Sequence, residues 1–276
     1  MADTPEPTLK KASADADFTK GAHPVCEDYA FATVLPLGDR QLYCAVLSDG
    51  CSSSVHTDVG ARVLSFALVR AFRMAFETNA VNPEFVEGMV LAGAESTIAT
   101  MGLTHHALAA TLLGVATDGD KLAVFCWGDG FVAVNGQPVT RLEYTANVPY
   151  YLSYKLDAQA NADFGAVDET LAIERGEAIA KVAANTHPSW QYVATLVPGQ
   201  DVLVTLMSDG AGSFVKGREL VPWQDTAPLL LDYANASGSF VKRQFRYAMR
   251  ECGKRGWVNA DDVSMAAVSL QYGEAQ

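Results

Sequence analysis

The chain has 276 residues, 49% of them hydrophobic, which is enough for one globular domain with a sizeable core. Its formal net charge of −12 argues against a nucleic-acid partner, because nucleic-acid binding needs a basic surface. No stretch is apolar enough to cross a membrane and the N-terminus lacks a secretory signal pattern, so we expect a cytoplasmic protein without a membrane partner.

The first part of the chain predicts a leader followed by a hairpin. Residues 1–20 are rich in Ala, Asp, Lys and Pro and show no period, which predicts a flexible leader. A single domain is then expected over residues 21–272. Within it, strand-like runs at 29–37 and 41–48 flank Gly38-Asp39-Arg40, which is a hairpin sequence.

The pattern then changes to helical spacing. Apolar residues predict a helix from about residue 58 to 78, and Asn82-Pro83 predicts the cap and first turn of a second helix. Two further helices are expected at 225–236 and 239–253. Three strand pairs are expected, each joined by a turn, at 109–116 and 121–127, at 131–134 and 139–144, and at 190–196 and 201–207; a last strand-like run lies at 263–270. Antiparallel strands alternating with paired helices predict a layered α+β fold with helices outside two sheets.

The stretch from residue 145 to 189 differs from its surroundings. It has mixed polarity, several Tyr residues and no sustained period, which predicts an irregular insertion or lid. The cysteines of the chain are odd in number and include no Cys-x-x-Cys pair, which argues against a zinc site and a disulfide framework.

Carboxylates occur at the ends of five strand-like runs. Three runs end in Asp-Gly and two begin after an acid pair: Asp49-Gly50, Asp129-Gly130, Asp209-Gly210, Glu27-Asp28 and Asp261-Asp262. If these ends converge, the carboxylates repel one another unless a cation lies among them, and oxygen ligands suit Mg²⁺ or Mn²⁺ better than zinc. Any single Asp-Gly pair is more often only a turn, so a structural domain without a metal site stays an alternative.

The order of these motifs resembles that of the metal-dependent protein phosphatases, the protein phosphatase 2C family, and in particular its divergent bacterial branch. The resemblance covers about residues 21–270 and includes a Thr-containing strand at Ala110–Val115. It implies a four-layer α-β-β-α sandwich, in which two antiparallel sheets are flanked by paired helices and a metal centre lies at one end between the sheets. Residues 145–189 correspond to the variable flap of the family.

The resemblance also implies two or three bound Mg²⁺ or Mn²⁺ ions. By position, Asp49 would bridge two metals and the Gly50 carbonyl would complete one shell. The other ligands of these two metals would be Asp28, Asp209 and Asp262.

Three further roles are carried over by position. Asp129 would join Asp209 at a weaker third metal. Glu27 would orient metal-bound waters and would not be a ligand itself. Many members of the family carry an Arg before the acidic pair to bind phosphate; this chain has His23 as one of the nearest substitutes, so His23 is the candidate phosphate-binding residue.

The activity implied is that of a serine/threonine phosphoprotein phosphatase, which hydrolyses phosphate monoesters through a water activated by a dinuclear metal centre. No side-chain nucleophile is needed. The partner would be a phosphorylated protein in bacterial signalling, such as a serine/threonine kinase or its substrates. The missing Arg motivates an alternative, a catalytically weak phosphoprotein-binding regulatory module of the same fold.

Overall fold

The computed structural model of the protein describes residues 9–135, 137–184 and 189–273. Within these ranges the strands are β1 (Leu9–Thr19), β2 (Tyr29–Leu37), β3 (Arg40–Ser48), β4 (Leu112–Thr117), β5 (Lys121–Trp127), β6 (Gly130–Val134), β7 (Thr140–Tyr144), β8 (Thr170–Arg175), β9 (Ala178–Ala183), β10 (Ser189–Thr195), β11 (Val202–Met207), β12 (Phe214–Lys216), β13 (Glu219–Leu220), β14 (Val258–Asn259) and β15 (Val263–Tyr272). The helices are α1 (Thr57–Glu77), α2 (Pro83–Thr100), α3 (Ala158–Ala166), α4 (Trp223–Leu231) and α5 (Phe240–Lys254). Short 3₁₀ turns lie at His105–Leu108, Leu152–Leu156 and Asp209–Gly212.

Two large antiparallel sheets and two helix layers form the molecule. One sheet has seven strands in the order β1-β15-β11-β6-β7-β8-β9, and the other has five in the order β10-β5-β4-β3-β2. A hydrophobic core fills the space between the sheets, a second core lies between α1, α2 and the five-stranded sheet, and a third lies between α4, α5 and the seven-stranded sheet. The α-β-β-α sandwich predicted from the sequence is therefore confirmed.

The helix α1 packs closely because its apolar face meets a glycine on the sheet. Leu64, Leu68 and Phe72 are fully buried on this face. A Cβ atom at Gly114 of β4 would lie 2.4 Å from Leu68 Cδ2, so only glycine leaves room for this contact. Burial of three large side chains on one helix face is worth several kcal/mol, on the order of 2 kcal/mol each.

The start of α2 follows the predicted capping chemistry. Asn82 Oδ1 accepts a hydrogen bond from Phe85 N at 2.9 Å, and Pro83 occupies the first turn. Both features stabilise a helix start, because they satisfy or remove N–H groups that lack intrahelical partners. None of the described helices is both long and apolar enough to span a membrane.

The flexible leader predicted for residues 1–20 is wrong for residues 9–19, which form β1 along the edge of β15; residues 1–8 lie outside the described part of the chain. Ala12, Ala14 and Ala16 alternate with polar residues and pack against the core between the sheets. Alanine is only weakly hydrophobic, so the alternation of these alanines with polar residues was not recognised as a strand pattern. Backbone pairing with β15 supplies the stabilisation that these small side chains do not.

The stretch 145–189 is only partly irregular. The 3₁₀ turn at Leu152–Leu156 and α3 interrupt it, and β8 and β9 then extend the seven-stranded sheet, whereas residues 185–188 are not described. The hairpin predicted between 190–196 and 201–207 is also wrong. β10 pairs with β5 in one sheet, and β11 pairs with β15 and β6 in the other. The residue pattern identifies each strand, but it does not identify the strand with which it pairs in a sheet.

Candidate metal centre

Strand register brings the acidic motifs to one end of the sandwich. In the five-stranded sheet, Tyr29 pairs with Ser48, which places Asp28 beside Asp49. In the seven-stranded sheet, Met207 at the end of β11 pairs with Met265 of β15 and with Phe131 of β6. Asp209, two residues later, therefore lies near the start of both strands. Antiparallel pairing therefore gathers strand ends with strand starts.

A cleft of about 240 Å³ opens where these ends meet. Its walls contain seven of the eight residues singled out in the sequence: His23, Glu27, Asp49, Gly50, Asp129, Asp209 and Asp262. Asp28, the eighth, does not line the cleft and is only 1% exposed. The structure thus gathers the predicted acids from both sheets at one site.

Two carboxylate oxygens at this end have no hydrogen-bond partner among the described residues. They are Asp28 Oδ1 and Asp209 Oδ1, and both atoms are buried. The other Asp28 oxygen accepts a hydrogen bond from Ser208 Oγ at 2.8 Å. A buried, unpaired carboxylate oxygen is costly unless a cation or a donor reaches it. A hard divalent cation with oxygen ligands fits this donor set.

Burial and mutual repulsion act on the same carboxylates. Burial, with Asp28 and Asp209 nearby, raises the pKa of Asp49 well above its usual range. Burial also raises the pKa of Asp28, although hydrogen bonds to its carboxylate act in the opposite direction. For Asp129, burial and the nearby Asp209 raise the pKa to about 8. These groups prefer to be protonated without a cation, and a cation would hold them ionised.

The acids do not form a closed cage. In the described ranges, no three His, Cys, Asp or Glu side chains are placed together as a finished ligand set for one ion. Mg²⁺ commonly binds through one or two carboxylates and keeps several waters, so it needs no such cage. These acids can therefore form a metal site in which water supplies several of the ligands.

Asp262 has a structural role that the sequence did not reveal. Its two carboxylate oxygens accept hydrogen bonds from Gly21 N and Glu27 N, each at 2.6 Å. These bonds hold the segment before β2 against the start of β15. Each carboxylate oxygen has a second lone pair, so this anchoring leaves Asp262 able to accept from water or a cation as well.

Glu27 lies at the centre of a smaller set of contacts. Thr57 Oγ1 donates to Glu27 Oε1 at 3.1 Å, and His23 Nδ1 is 3.5 Å from Glu27 Oε2. His23 Nε2 is also 3.8 Å from Asp261 Oδ1. The imidazole is therefore held between two carboxylates at the cleft. It is the only basic side chain among the described residues that line this cleft, because none of them is Arg or Lys.

Three supporting residues were not predicted as part of the site. Thr111 Oγ1 accepts a hydrogen bond from Asp49 N at 3.1 Å, and Ser208 Oγ accepts one from Ser264 N at 3.0 Å while it donates to Asp28. Tyr151, from the irregular stretch after residue 145, lines the cleft. Thr111 and Ser208 could have been found from their places in the strand motifs. Tyr151 had no readable signal, because its neighbours show no period.

Replacement of Gly210 by Ala is expected to destabilise the protein by about 1–3 kcal/mol through overpacking. A Cβ atom there would lie 1.7 Å from the Asp262 carbonyl oxygen, so the β15 start must shift. Urea unfolding followed by circular dichroism measures the change. The matched control is Gly253→Ala, because a Cβ at that helical glycine meets nothing within 4 Å. Equal urea midpoints for the two variants would contradict this packing.

Comparison with known proteins gives a family and a fold. A family model described as Protein phosphatase 2C matches residues 21–241. The S. agalactiae serine/threonine phosphatase has 13% identity and a TM-score of 0.51, with 93% of this chain and 98% of that chain covered. The Mycobacterium tuberculosis serine/threonine phosphatase PstP/Ppp has 14% identity and a TM-score of 0.50, with 94% and 99% covered.

A third structure contains the PP2C phosphatase domain of SpoIIE from Bacillus subtilis together with a fragment of its regulatory domain. It has 14% identity and a TM-score of 0.50, and the match covers 98% of this chain but 65% of that chain. The chain therefore spans slightly less than two thirds of the SpoIIE chain that it matches. No curated protein matches the sequence. At such low identities, the likeness to solved structures is a likeness of fold.

Proposed function

Because this chain belongs to the protein phosphatase 2C family, we propose that it is a metal-dependent phosphatase that hydrolyses phosphoserine and phosphothreonine in proteins. The observation that carries the proposal is the convergence of acidic strand ends at one cleft, with buried oxygens of Asp28 and Asp209 left unpaired. The partner would be a phosphorylated protein, such as a serine/threonine kinase or one of its substrates.

The ligands proposed here are those that the resemblance to the family implies. Asp49 would bridge two Mg²⁺ or Mn²⁺ ions, and the Gly50 carbonyl would complete the shell of one of them. Asp129 and Asp209 would hold a weaker third ion. Asp28, Asp209 and Asp262 would supply the remaining protein oxygens. When bound, the paired ions lower the pKa of a water and offset the charge that develops on the phosphoryl oxygens.

The chain's own residues would orient the reactants. Glu27 would orient water by accepting a hydrogen bond from it through its carboxylate, to which Thr57 Oγ1 donates at 3.1 Å. His23 would bind the phosphate at the cleft. Ser208 is committed to Asp28 through its hydroxyl, so it is not free to act as a nucleophile. Together with the family membership, this favours water over Ser208 as the nucleophile.

One observation favours a second candidate function. The described lining of the cleft contains no Arg or Lys to attract a phosphate. A catalytically weak module that binds phosphoproteins and regulates them would fit this lack of Arg and Lys. This second candidate predicts binding without turnover.

Activity measurements separate the two candidates. With Mn²⁺, the wild type is expected to hydrolyse p-nitrophenyl phosphate and a phosphoserine peptide with saturation kinetics. Asp209→Asn should lower kcat by at least about 10²-fold, equivalent to roughly 2.7 kcal/mol of barrier. The control is Asp39→Asn, in the exposed β2–β3 turn, which should leave kcat unchanged. A wild type that binds the peptide but does not hydrolyse either compound would establish the second candidate.

A further inference from the structure

A small third sheet presents a row of apolar side chains to solvent. Val215 on β12 pairs with Leu220 on β13 and with Val258 on β14. Cross-strand partners project from the same face of a sheet. Phe214 and Val221, the neighbours of Val215 and Leu220 along the chain, are buried on the opposite face. The row therefore points outward, and Leu220 and Val258 are 67% and 62% exposed.

Basic residues surround this row. The segments 214–220 and 254–259, which contain the three strands, carry one acid, Glu219, and four basic residues: Lys216, Arg218, Lys254 and Arg255. All four basic residues are exposed. Lys254 Nζ donates to Glu251 Oε1 at 2.7 Å and Lys216 lies opposite Glu219. The local excess of positive charge therefore rests mainly on Arg218 and Arg255, in a chain with a formal net charge of −12. Apolar side chains with a basic rim are complementary to an acidic, partly apolar partner.

The small sheet (β12–β14) adjoins the acidic cleft directly. β12 begins two residues after the 3₁₀ turn that contains Asp209, and β14 ends two residues before Asp261. Ser213 joins the two connections, because its carbonyl accepts from Ala260 N and its Oγ accepts from Asp261 N, each at 3.2 Å. Asp209 and Asp261 both line the cleft. A chain that crosses the small sheet can therefore continue into the site.

We propose that the outer face of the small sheet is the docking surface for the phosphoprotein substrate, and that it binds an extended segment with apolar and acidic residues next to the phosphorylated one. This inference rests on the proposed function and assigns its substrate class. The apolar row would bury apolar side chains of that segment. The basic rim would attract its acids, which the described lining of the cleft cannot do, since it includes no Arg or Lys.

A second copy of this chain is a poorer occupant of the same surface. A two-fold interface brings the same patch of both copies together. Lys216 and Arg218 would then face the basic rim of the other copy, and like charges would repel. An acidic segment meets no such repulsion, so the charge pattern favours the substrate.

The test compares Val258→Glu with Val197→Glu. Val197, in the turn between β10 and β11, is 63% exposed and serves as the matched control outside the small sheet. Two phosphoserine peptides, one with Leu and Glu flanks and one with Lys flanks, and p-nitrophenyl phosphate are the probes. Val258→Glu is expected to raise KM for the acidic peptide about tenfold, a change of roughly 1.4 kcal/mol. It should leave kcat and the small ester unaffected and should not raise KM for the Lys-flanked peptide, and Val197→Glu should change nothing.

A second variant tests the basic rim. Lys216→Ala combined with Arg218→Ala should raise KM for the acidic peptide several-fold at low salt, and the difference from wild type should shrink at about 1 M salt because the charges are screened. Equal KM values for wild type and Val258→Glu would overturn the proposal. So would a wild-type dimer in ultracentrifugation that Val258→Glu dissociates, since that result assigns the surface to self-association.

The docking surface can be tested even if the enzyme proposal fails. A wild type that hydrolyses none of the three compounds would contradict the proposed function. Fluorescence anisotropy of the labelled acidic peptide then measures docking alone. Binding that is weakened about tenfold by Val258→Glu but not by Val197→Glu would support the docking surface. Equal binding by all three proteins would contradict it.

Discussion

Replacement of Asp49 by Asn is expected to lower kcat for phosphopeptide hydrolysis by at least about 10³-fold, equivalent to roughly 4 kcal/mol of barrier. The same variant is expected to make the metal-free protein more stable. Asp49 is the residue proposed to bridge two cations, so its loss removes a ligand from both. Asn keeps the shape of the side chain but cannot ionise, which removes the cost of burying a titratable carboxyl beside Asp28 and Asp209.

Two measurements check this pair of effects. Steady-state kinetics with saturating Mn²⁺ gives the change in kcat, and thermal unfolding in EDTA gives the change in melting temperature. Asp39→Asn, with its exposed carboxylate, is again the control for both. An Asp49→Asn protein with near wild-type kcat would contradict the bridging role. A lower melting temperature in EDTA would contradict the repulsion among the buried acids.

The stability of the metal-free protein is expected to fall as pH rises from about 4 to about 8. Burial raises the folded-state pKa of Asp28 and Asp49, and burial with Asp209 nearby raises that of Asp129 to about 8. The folded protein therefore binds more protons than the unfolded chain between the unfolded pKa, about 4, and these values. The stabilisation is fully present below about pH 4 and is lost as pH rises through the folded pKa values.

Thermal unfolding in EDTA at several pH values tests this dependence. A loss of about 1 kcal/mol lowers the melting temperature by roughly 2–4 °C in a domain of this size. Saturating Mn²⁺ should reverse the trend, because a cation stabilises the ionised carboxylates and competes with their protons. Asp49→Asn should show a weaker pH dependence in EDTA than the wild type. A melting temperature in EDTA that rises steadily towards pH 8 would contradict the account.

Four of the five described helices (α1, α2, α4 and α5) and the acidic strand ends could be predicted from the sequence because their signals are local, whereas α3 was not predicted. The apolar period of α1 and the Asn82-Pro83 start of α2 each lie within a few turns of chain. Each Asp-Gly motif consists of a buried strand followed by a turn. The family resemblance added the prediction that the motifs together form a metal centre. The prediction that these acids share one site followed from that order, and the cleft brings them together.

Contacts between distant parts of the chain could not be predicted in this way. Strands β10 and β11 belong to different sheets because of tertiary packing, and the residue pattern of a strand does not encode that packing. The Asp262 carboxylate accepts a hydrogen bond from Glu27 N, which is 235 residues away in the sequence, and no local motif predicts such a bond. The strands of the small sheet are two or three residues long, too short for any period to be visible.

Calorimetric titration of the metal-free protein with Mn²⁺ at about pH 7.5 tests the central claim most directly, because it detects the site independently of any substrate. We expect saturable binding of at least two ions per chain, release of protons from the buried acids, and loss of one or more of the binding events in Asp49→Asn. No saturable binding, together with the same melting temperature in EDTA and in Mn²⁺, would contradict this claim. The Asp-Gly pairs would then be only turns of a structural domain.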